Sequence, residues 1–401
     1  MNLFFKKREK QSANRDSFEM LGLSKSILTA LQEKGYEAPT KIQLETIPEI
    51  LKGRDLLAVA QTGTGKTAGF TLPILEMLSK NNTEKNNIKA LILAPTRELA
   101  YQILDSVNTY GKHLPFKSTV VVGGVNDKPQ KLQLKKGVDI LVATPGRLLD
   151  LYNQKTICFS KLEILVLDEA DRMLDMGFIH DIKKIVSVLP KIRQNVLFSA
   201  TFSKQIRQLA NSFLNQPKEI SVSPKNSTAN TIKQAVYKVS KTEKKDILLD
   251  LIQKHNWYQV LIFTQTKHGA NKLTKFLDKG GITASAIHGN KSQSARNRAL
   301  SEFKSGKLQA LVATDIASRG LDISELPQVV NFELPHVPED YVHRIGRTGR
   351  AGVNGAAISL VCDEELRRLS AIEKLIKKKI DTHSLNNNSS KKAQFKSKRR
   401  G

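Results

Sequence analysis

Residues 60–67, AQTGTGKT, place two glycines, a lysine and a threonine directly after an apolar run. Gly63 and Gly65 allow the backbone to turn its N–H groups towards phosphate oxygens. Lys66 would reach the outer phosphates of a nucleoside triphosphate, and Thr67 would hold Mg²⁺. A glycine-rich loop without ligand is disfavoured, because a predicted strand precedes the segment and a predicted helix follows it. The other predicted nucleotide-binding positions are Ala60, where a glycine is usual, Gln61, Thr62 and Thr64.

Two adjacent carboxylates follow a second apolar run in LVLDEAD, about 100 residues after this loop. Asp168 has the position of a strand-end carboxylate that holds Mg²⁺, directly or through water. Glu169 is suited to orient or deprotonate an attacking water molecule. The alternative is an acidic helix N-terminus, where Asp and Glu are favoured for electrostatic reasons. The phosphate loop and the carboxylates together predict hydrolysis of a nucleoside triphosphate.

A basic cluster lies in the second half of the chain, HRIGRTGRAG at 343–352. Its three arginines, Arg344, Arg347 and Arg350, are predicted to be too exposed and too crowded for a core. One interpretation is a solvated basic loop. The other is that arginines of this cluster act as fingers on the terminal phosphate held by the first half. The second half has no phosphate loop of its own, so it is not expected to bind a separate nucleotide.

Short apolar runs that could position these groups recur through both halves. They are rich in Val, Ile and Leu, as is typical of buried parallel strands. Helical patterns such as KDILLDLIQKH and HGANKLTKFLDKG lie between them, so we predict two tandem α/β domains, each a parallel sheet flanked by helices. Ligands bind such sheets beyond the carboxyl ends of the strands, where the polar clusters lie. The predicted strands are 55–60, 89–94, 118–122, 139–144, 162–170, 195–201, 259–266, 282–289, 308–315, 328–333 and 356–361.

Shifts in composition divide the chain further. A segment with two prolines and several Ser, Thr and Asn residues predicts a linker, which includes one short strand, EISV. The C-terminal segment is polar and basic with little to bury, and we expect it to be disordered. The predicted parts are a basic N-terminal extension (1–17), a first domain (18–216), the linker (217–230), a second domain (231–377) and the basic tail (378–401).

The charge balance predicts a polyanionic partner. Net charge is +26, from 64 Lys and Arg against 38 Asp and Glu. An excess of this size favours nucleic acid, although a well-charged surface without a partner is the alternative. Charge alone does not separate RNA from DNA or from an anionic membrane. The basic tail would add phosphate affinity that falls with salt.

Localisation is predicted from what the sequence does not contain. No stretch approaches the length of an apolar membrane span, and the N-terminus turns basic too early for a signal peptide. The two cysteines, Cys158 and Cys362, lie far apart and form no metal-ligand cluster. We therefore expect a cytoplasmic protein with reduced thiols and no membrane association.

Asp168–Glu169–Ala170–Asp171 spells D-E-A-D, and the chain resembles the DEAD-box RNA helicase family. The resemblance extends from Phe18 to about residue 377 and rests on many motifs in family order. It is similar to the compact bacterial RhlE-type branch. The resemblance implies two RecA-like domains, ATP and Mg²⁺ as ligands, and RNA rather than DNA as partner. In this interpretation residues 16–44 form an adenine-sensing segment.

The resemblance assigns further nucleotide-site roles. The Gln43 amide would match the N6/N7 edge of adenine and favour ATP over GTP, and Phe18 would stack on the base, unless it is simply a core residue. Arg347 and Arg350 become the fingers, and His343 a link to the DEAD segment. Segment 199–201, SAT, would couple hydrolysis to strand separation through Ser199 and Thr201, unless it is an ordinary turn. The residues assigned to the nucleotide side are Asp171, Arg319 and Asp322.

RNA contacts are predicted on both halves and would address phosphates without reading sequence. In the first half PTRELA, Gly123–Gly124 and TPGR carry them, although the threonines could instead cap helices. Further segments of the second half, IFTQT at 262–266, His288–Gly289 and QSAR at 293–296, also resemble RNA-facing parts. The named residues are Arg97, Gly124, Thr144, Gly146, Gln293, Arg296 and Thr314.

The resulting functional hypothesis is RNA-stimulated ATP hydrolysis coupled to closure of the two domains. Closure would join two partial RNA surfaces, so ATP and RNA would raise each other's affinity. The expected partners are single-stranded and short duplex RNA, with ribosomal or RNA-decay proteins as family-level candidates, and the protein is expected to be a monomer. Two alternatives stay open: an ATPase that remodels RNA–protein complexes without separating strands, and a passive RNA-binding protein with a decayed site.

Overall fold

The structure, a computed structural model, describes residues 17–61, 63–80, 87–222, 232–315, 323, 326–349 and 355–384. The chain divides into two units between residues 224 and 225. Of the predicted functional residues, Thr62, Arg319, Asp322 and Arg350 lie outside the described residues.

The first unit alternates strands and helices, as the sequence predicts. Its described strands are β1 (Leu56–Ala60), β2 (Ala90–Leu93), β3 (Ser118–Val121), β4 (Ile140–Ala143), β5 (Ile164–Leu167), β6 (Gln194–Ser199) and β7 (Lys218–Val222). Its described helices are α1 (Lys25–Glu33), α2 (Lys41–Leu51), α3 (Lys66–Lys80), α4 (Arg97–Tyr110), α5 (Asp127–Lys135), α6 (Pro145–Asn153), α7 (Ala170–Asp175), α8 (Ile179–Val188) and α9 (Lys204–Asn211), with a 3₁₀ turn at Phe18–Leu21.

The first sheet is parallel throughout, in the order β3-β4-β2-β5-β6-β1-β7. Successive strand residues enter opposite cores: Ile140 and Val142 join one cluster, and Leu141 and Ala143 join the other. Helices cover both faces, which explains why the strands are apolar along their whole length instead of alternating. Because every strand runs the same way, the loops that follow them share one edge.

The second unit repeats this plan. Its described strands are β8 (Lys233–Lys238), β9 (Val260–Thr264), β10 (Ala284–Ile287), β11 (Ala310–Thr314), β12 (Gln328–Asn331), β13 (Ala356–Val361) and β14 (Asp381–Ser384). Its described helices are α10 (Lys244–Lys254), α11 (Lys267–Lys279), α12 (Gln293–Lys304), α13 (Pro338–Ile345) and α14 (Leu366–Ile376), with a 3₁₀ turn at Asp363–Glu365. The parallel order is β10-β11-β9-β12-β13-β8-β14. The predicted fold class of two tandem RecA-like parallel sheets is confirmed.

The structure corrects one detail of the predicted layout and confirms another. The predicted tail, 378–401, begins with a strand, because Asp381–Ser384 pairs in parallel with β8. This short polar segment has no apolar pattern, so its strand conformation depends on backbone pairing to its neighbour. The predicted linker contains the predicted short strand, β7, which pairs with β1. The exact domain bounds stay predictions.

Within the described ranges, no helix combines the length and apolarity needed to cross a bilayer.

Candidate functional site

The predicted phosphate loop connects β1 to α3 at the carboxyl edge of the first sheet. Gly63 and Gly65 have φ values of +81° and +93°, a region that favours glycine. At Gly65 space also requires glycine, because an added Cβ would lie 2.5 Å from Gln43 Nε2. Thr64 Oγ1 donates to the carbonyl of Gln61 at 2.8 Å and closes the turn. Backbone conformation therefore favours glycine at both of the positions where the sequence predicts a turn towards phosphate.

Lys66 begins α3 and is buried, with 5% of its surface exposed. Its ammonium Nζ has no hydrogen-bond partner within the described part of the chain. A buried ammonium without acceptors is costly, so this position is suited to an anion that the chain itself does not supply. A phosphate group in the glycine loop fits that requirement.

Asp168 follows β5 at the same edge and is 3% exposed. Burial raises the pKa of its carboxyl to about 7, and the charge of Glu169 adds to the rise, while the nearby Lys66 ammonium opposes it. The backbone N–H of Glu169 donates to Asp168 Oδ1 at 2.9 Å and fixes the carboxyl orientation. A carboxylate held in this way can act as a single metal ligand.

Glu169 is the N-cap of α7 and has the left-handed backbone φ of +52°. A non-glycine residue in this region carries strain of about 1–3 kcal/mol, which functional sites often retain. Its carboxylate is buried, with Oε2 3.5 Å from Arg172 Nε. The alternative of a plain acidic helix start does not account for this strain. The geometry instead holds the Glu169 side chain beside Asp168.

Asp171 and the predicted coupling segment lie together. Asp171 Oδ2 accepts the backbone N–H of Ala200 at 3.2 Å. Ser199 Oγ donates to the carbonyl of Thr201 at 2.8 Å and accepts its N–H at 3.2 Å, so the segment forms a closed turn after β6. The carboxylate-bearing helix is therefore bonded directly to the SAT segment.

Gln43, on α2, is fully buried. Its Oε1 accepts the backbone N–H of Thr40 at 2.8 Å, and its Nε2 donates to the carbonyl of Gly65 at 3.0 Å. The side chain thus supports the phosphate loop from within, and contact with adenine stays a prediction. Phe18 is 6% exposed and packs edge-on against Tyr36, with ring centroids 6.2 Å apart. It is a core residue in this structure, and stacking on a base stays a prediction.

Two predicted polyanion contacts of the first unit touch each other. The guanidinium of Arg97, at the start of α4, lies over Gly124, with Nη1 3.5 Å from its carbonyl oxygen. Gly124 has a φ of +67°, and an added Cβ would lie 1.9 Å from Arg97 Nη2. Thr144 is the N-cap of α6, and Gly146 lies in its first turn with open space above it. All four lie at the carboxyl edge of the sheet.

The arginine cluster of the second unit differs from prediction. The expectation of arginines too exposed for a core was wrong for Arg344 and Arg347, which are 2% and 7% exposed. Arg344 forms a bidentate pair with Asp315 at 2.6 and 2.7 Å and also donates to Asn331 Oδ1 at 3.0 Å. Its charge is satisfied inside the fold, which makes burial possible. His343, 22% exposed, has Nδ1 3.9 Å from Asp340 Oδ1.

The remaining predicted contacts of the second unit are only partly accessible. Gln293 starts α12 and donates to Asn297 Oδ1 at 3.0 Å. Arg296 is 9% exposed and Thr314, at the end of β11, is 7% exposed. The structure places Thr314 directly before Asp315, the partner of Arg344, so the buried arginine braces this strand end.

Among the described residues, no group of three or more His, Cys, Asp or Glu side chains is arranged to hold a metal ion. Mg²⁺ needs less, since one or two protein oxygens, phosphate oxygens and water complete its shell. The Thr67 hydroxyl, which follows Lys66 in the chain, and the Asp168 carboxyl, which is close enough for the Lys66 charge to lower its pKa, fit such a partial set.

Family models match both units. The DEAD/DEAH box helicase model matches residues 40–209, and the helicase conserved C-terminal domain model matches residues 243–352. The DEAD-box ATP-dependent RNA helicase CshA of Bacillus cereus is 43% identical over 365 residues, which are 91% of this chain and 69% of the relative. The chain belongs to the DEAD-box ATP-dependent RNA helicase family.

Other DEAD-box proteins extend the comparison. The DEAD-box ATP-dependent RNA helicase RhpA of Helicobacter pylori is 43% identical over 92% of this chain and 74% of its own length. Dbp5 of S. cerevisiae, solved with RNA and ADP BeF3, has a TM-score of 0.83 at 34% identity and covers 95% of this chain and 99% of its own. Mss116p bound to ssRNA and AMP-PNP has a TM-score of 0.84 at 28% identity, and the match covers 94% of this chain and 80% of Mss116p. The RhlE-type branch stays a prediction.

Sequence reasoning missed several supports of the DEAD-box site. Arg147, in the TPGR segment, donates from Nε to the carbonyl of Val122 at 3.2 Å and from Nη2 to that of Val125 at 3.1 Å, and so holds the Gly123–Gly124 loop. Its place in a predicted contact segment was the available signal. Asp55 accepts from Asn195 and Asn215 at the opposite edge of the sheet, and no local pattern indicated this.

The raised pKa of Asp168 predicts a stability cost for this DEAD-box residue. The pKa of about 7 in the folded protein exceeds the ordinary value of 3.8 for an aspartate. The folded state therefore loses stability as pH rises from about 4 to 7, and the loss is complete above 7. One pKa unit corresponds to about 1.4 kcal/mol, so Asp168→Asn is expected to stabilise the ligand-free protein by about 1–4 kcal/mol at pH 8.

Urea unfolding of both forms between pH 5 and 8 measures this effect. The stability gain should be constant above about pH 7 and shrink from there towards pH 5, because the wild-type carboxyl then keeps its proton in the folded state while the unfolded chain still releases it. Asn retains an oxygen that can accept the hydrogen bond from the Glu169 N–H, so loss of that bond does not contribute to the difference in stability between the two forms. A gain that does not change with pH would contradict the assignment.

Proposed function

We propose that the protein is an ATP-dependent RNA helicase in which bound RNA stimulates ATP hydrolysis. The observation that carries the proposal is the buried Lys66 ammonium, without an acceptor in the described chain, beside the buried Asp168 carboxyl. Family membership supplies the substrate class, since related proteins are named ATP-dependent RNA helicases. ATP is the substrate, and Lys66 binds its outer phosphates while the glycine loop donates backbone N–H groups.

The chemistry follows from the positions of the side chains. Thr67 and Asp168 would hold Mg²⁺, which when bound neutralises charge on the phosphate oxygens. Glu169 orients the attacking water and accepts its proton. Arg347 and Arg350 are proposed to complete the site by contacting the terminal phosphate, as the family motif implies. Lys66 and the arginines together stabilise the charge that develops during transfer.

Coupling to RNA is proposed to pass through the Asp171–Ala200 bond. Loss of the terminal phosphate changes what Glu169 and Asp171 contact, and α7 links that change to the SAT segment. The hypothesis is that ATP and RNA both favour the closed pair of domains, so that each raises the affinity of the other. Hydrolysis removes contacts that favour closure and releases RNA. Binding one strand in this way would separate short duplexes locally or remodel RNA–protein complexes.

RNA is proposed to bind through its phosphates, without sequence preference. Arg97, Gly124, Thr144 and Gly146 are the proposed contacts of the first unit. The list for the second unit is Gln293, Arg296 and Thr314. We further propose a monomer that acts in the cytoplasm, with ribosomal or RNA-decay proteins as candidate partners.

The test of this function uses the full chain with a short labelled RNA duplex. ATP hydrolysis should rise when single-stranded RNA is added, and the labelled strand should be displaced only with ATP. Hydrolysis without displacement would favour remodelling of RNA–protein complexes. The absence of RNA-stimulated hydrolysis would overturn the proposal.

Gly124→Ala tests the contact with Arg97. The new methyl group would occupy the place of the guanidinium, so RNA affinity is expected to fall about tenfold, or about 1.4 kcal/mol. Gly53→Ala is the matched control, because Gly53 has a φ of +74° but no atom within 4 Å of an added Cβ. Both variants carry the backbone strain, and only one displaces Arg97. Equal RNA affinity of the two variants would contradict the role of this pair.

Gln43→Ala tests nucleotide choice and loop support together. Loss of the bond to the Gly65 carbonyl should weaken ATP binding, by about 1 kcal/mol for a neutral hydrogen bond. If the amide also contacts adenine, the preference for ATP over GTP should fall as well. Titration of both nucleotides separates the effects, and unchanged preference with weaker binding would leave Gln43 with the structural role alone.

A further inference from the structure

The second unit contains a cavity of about 630 Å³ between α10 and α11 that none of the proposed ATP or RNA residues lines. Its apolar part is formed by Leu273, Phe276 and Phe332. A volume of this size lies in the range of ligand-binding clefts. We call it the lysine groove, because five lysines surround it: Lys241, Lys245, Lys272, Lys275 and Lys279.

The charge of the lysine groove is one-sided. No carboxylate is among the lining residues that the structure describes. Lys272, Lys275 and Lys279 follow one face of α11 at helical spacing, and all three are exposed. Lys241 has Glu364 Oε1 at 4.0 Å, but both side chains are more than two-thirds exposed, so solvent screens that pair. The groove therefore offers an apolar floor inside a positive rim.

Each aromatic ring of the floor has a lysine ammonium over one of its faces. Lys245 Nζ lies 5.1 Å from the ring centroid of Phe276. Lys244 Nζ lies 5.8 Å from that of Phe332 and donates to the Phe332 carbonyl at 2.8 Å. Lys244 is 2% exposed and ion-paired with Glu365, so it stays in place. Nucleobases bind such proteins by stacking on open aromatic faces, and a lysine ammonium over one face of each ring reduces the area that this floor offers for stacking.

The groove also lies away from the proposed RNA helix. In the second sheet β11 lies between β10 and β9. The connection from β9 to β10 therefore crosses the sheet in one direction, and the connection from β10 to β11 returns in the opposite direction. Because parallel crossovers are right-handed, α11 and α12 cover opposite faces of the sheet. Gln293 and Arg296 are on α12, whereas the groove is lined by α11. The groove therefore lies on the other face of the sheet from these two proposed RNA contacts.

We propose that the lysine groove is a docking site for an acidic segment of a partner protein that inserts a large apolar side chain. Such a segment matches both features, with the apolar side chain as anchor on the floor and carboxylates facing the rim. The C-terminal segment of the chain itself is a poor candidate, since residues 385–401 carry six Lys and Arg and no Asp or Glu. The net charge of +26 also disfavours a second copy.

A peptide probe tests the proposal on the full-length protein. Fluorescence anisotropy is measured with the fluorescein-labelled peptide DEDWEDLEDD and with DEDSEDSEDD, which lacks the apolar anchors. We expect saturable binding of the first, and affinity about tenfold lower for the second. K272E/K275E should weaken binding of the first peptide about tenfold, because two rim charges are reversed.

K374E/K378E is the matched control, since it makes the same charge change at exposed lysines of α14 and the following turn. It should alter peptide affinity less than about twofold. RNA-stimulated ATP hydrolysis should be unchanged in both variants. Peptide binding therefore tests the docking site, and ATP hydrolysis tests the helicase function separately. The proposal is overturned if the wild type does not bind the peptide, if both variants lose it equally, or if oligouridylate displaces the peptide and K272E/K275E loses RNA affinity in proportion.

Discussion

Glu169→Gln is expected to lower RNA-stimulated ATP hydrolysis by a factor of about 10²–10⁴, the range typical of a lost general base. The amide has the shape of the carboxylate but cannot accept the proton of the attacking water. Glu169 is buried and held in a left-handed backbone conformation directly after Asp168, so its position does not depend on its charge alone. ATP affinity should therefore change little.

Single-turnover hydrolysis and titration with a fluorescent ATP analogue separate these two effects. RNA affinity in the presence of ATP should rise, because the variant binds both ligands and cannot proceed to release. Glu219→Gln is the control, with a carboxylate that is 53% exposed at the edge strand β7. Hydrolysis at the wild-type rate in Glu169→Gln would remove this residue from the mechanism.

Lys66→Met is expected to reduce ATP affinity by about 10²-fold or more, since a buried charged contact to phosphate is worth several kcal/mol. The methionine side chain fills a similar volume but carries no charge. Without bound nucleotide the wild-type ammonium is buried and has no hydrogen-bond partner in the described chain, so its removal should not lower the thermal midpoint.

This pairing of lost affinity with retained stability distinguishes a binding role from a structural one. Nucleotide titration by fluorescence and thermal unfolding of the ligand-free protein measure the two quantities. Lys183→Met, at an exposed position of α8, controls for loss of one positive charge in the same unit. If Lys66→Met bound ATP like the control, the phosphate loop would not hold the substrate as proposed.

The strands that could be predicted from the sequence are those with an apolar pattern along their whole length. Each of the eleven apolar runs forms a strand, because burial on both faces requires an unbroken apolar pattern. The missed strand β8 alternates between exposed and buried positions, and β14 is polar. Both lie near one edge of the second sheet, where backbone pairing replaces burial as the main stabilising contribution.

In the candidate site, too, some residues could be predicted from the sequence and others could not. Lys66, Asp168 and Glu169 were predicted because their chemistry follows from residue type and spacing. The partners of Gln43 and the burial of Arg344 could not be predicted, because both depend on backbone carbonyls and carboxylates brought close only by folding. A basic cluster looks solvated in sequence until the acceptors that neutralise it are known.

Because the strands of the first sheet are parallel, the proposed nucleotide-binding residues lie at their carboxyl ends, and the opposite edge of the sheet can carry a label without touching them. Cys158 lies in the turn between α6 and β5, on that far edge, and its thiol is exposed, whereas Cys362 is buried. The hydroxyl of Ser160, 3.4 Å away, lowers the pKa of the Cys158 thiol and so favours the reactive thiolate. A maleimide dye should therefore attach there selectively and leave the glycine loop untouched, which gives the native chain a ready site for a fluorescent probe.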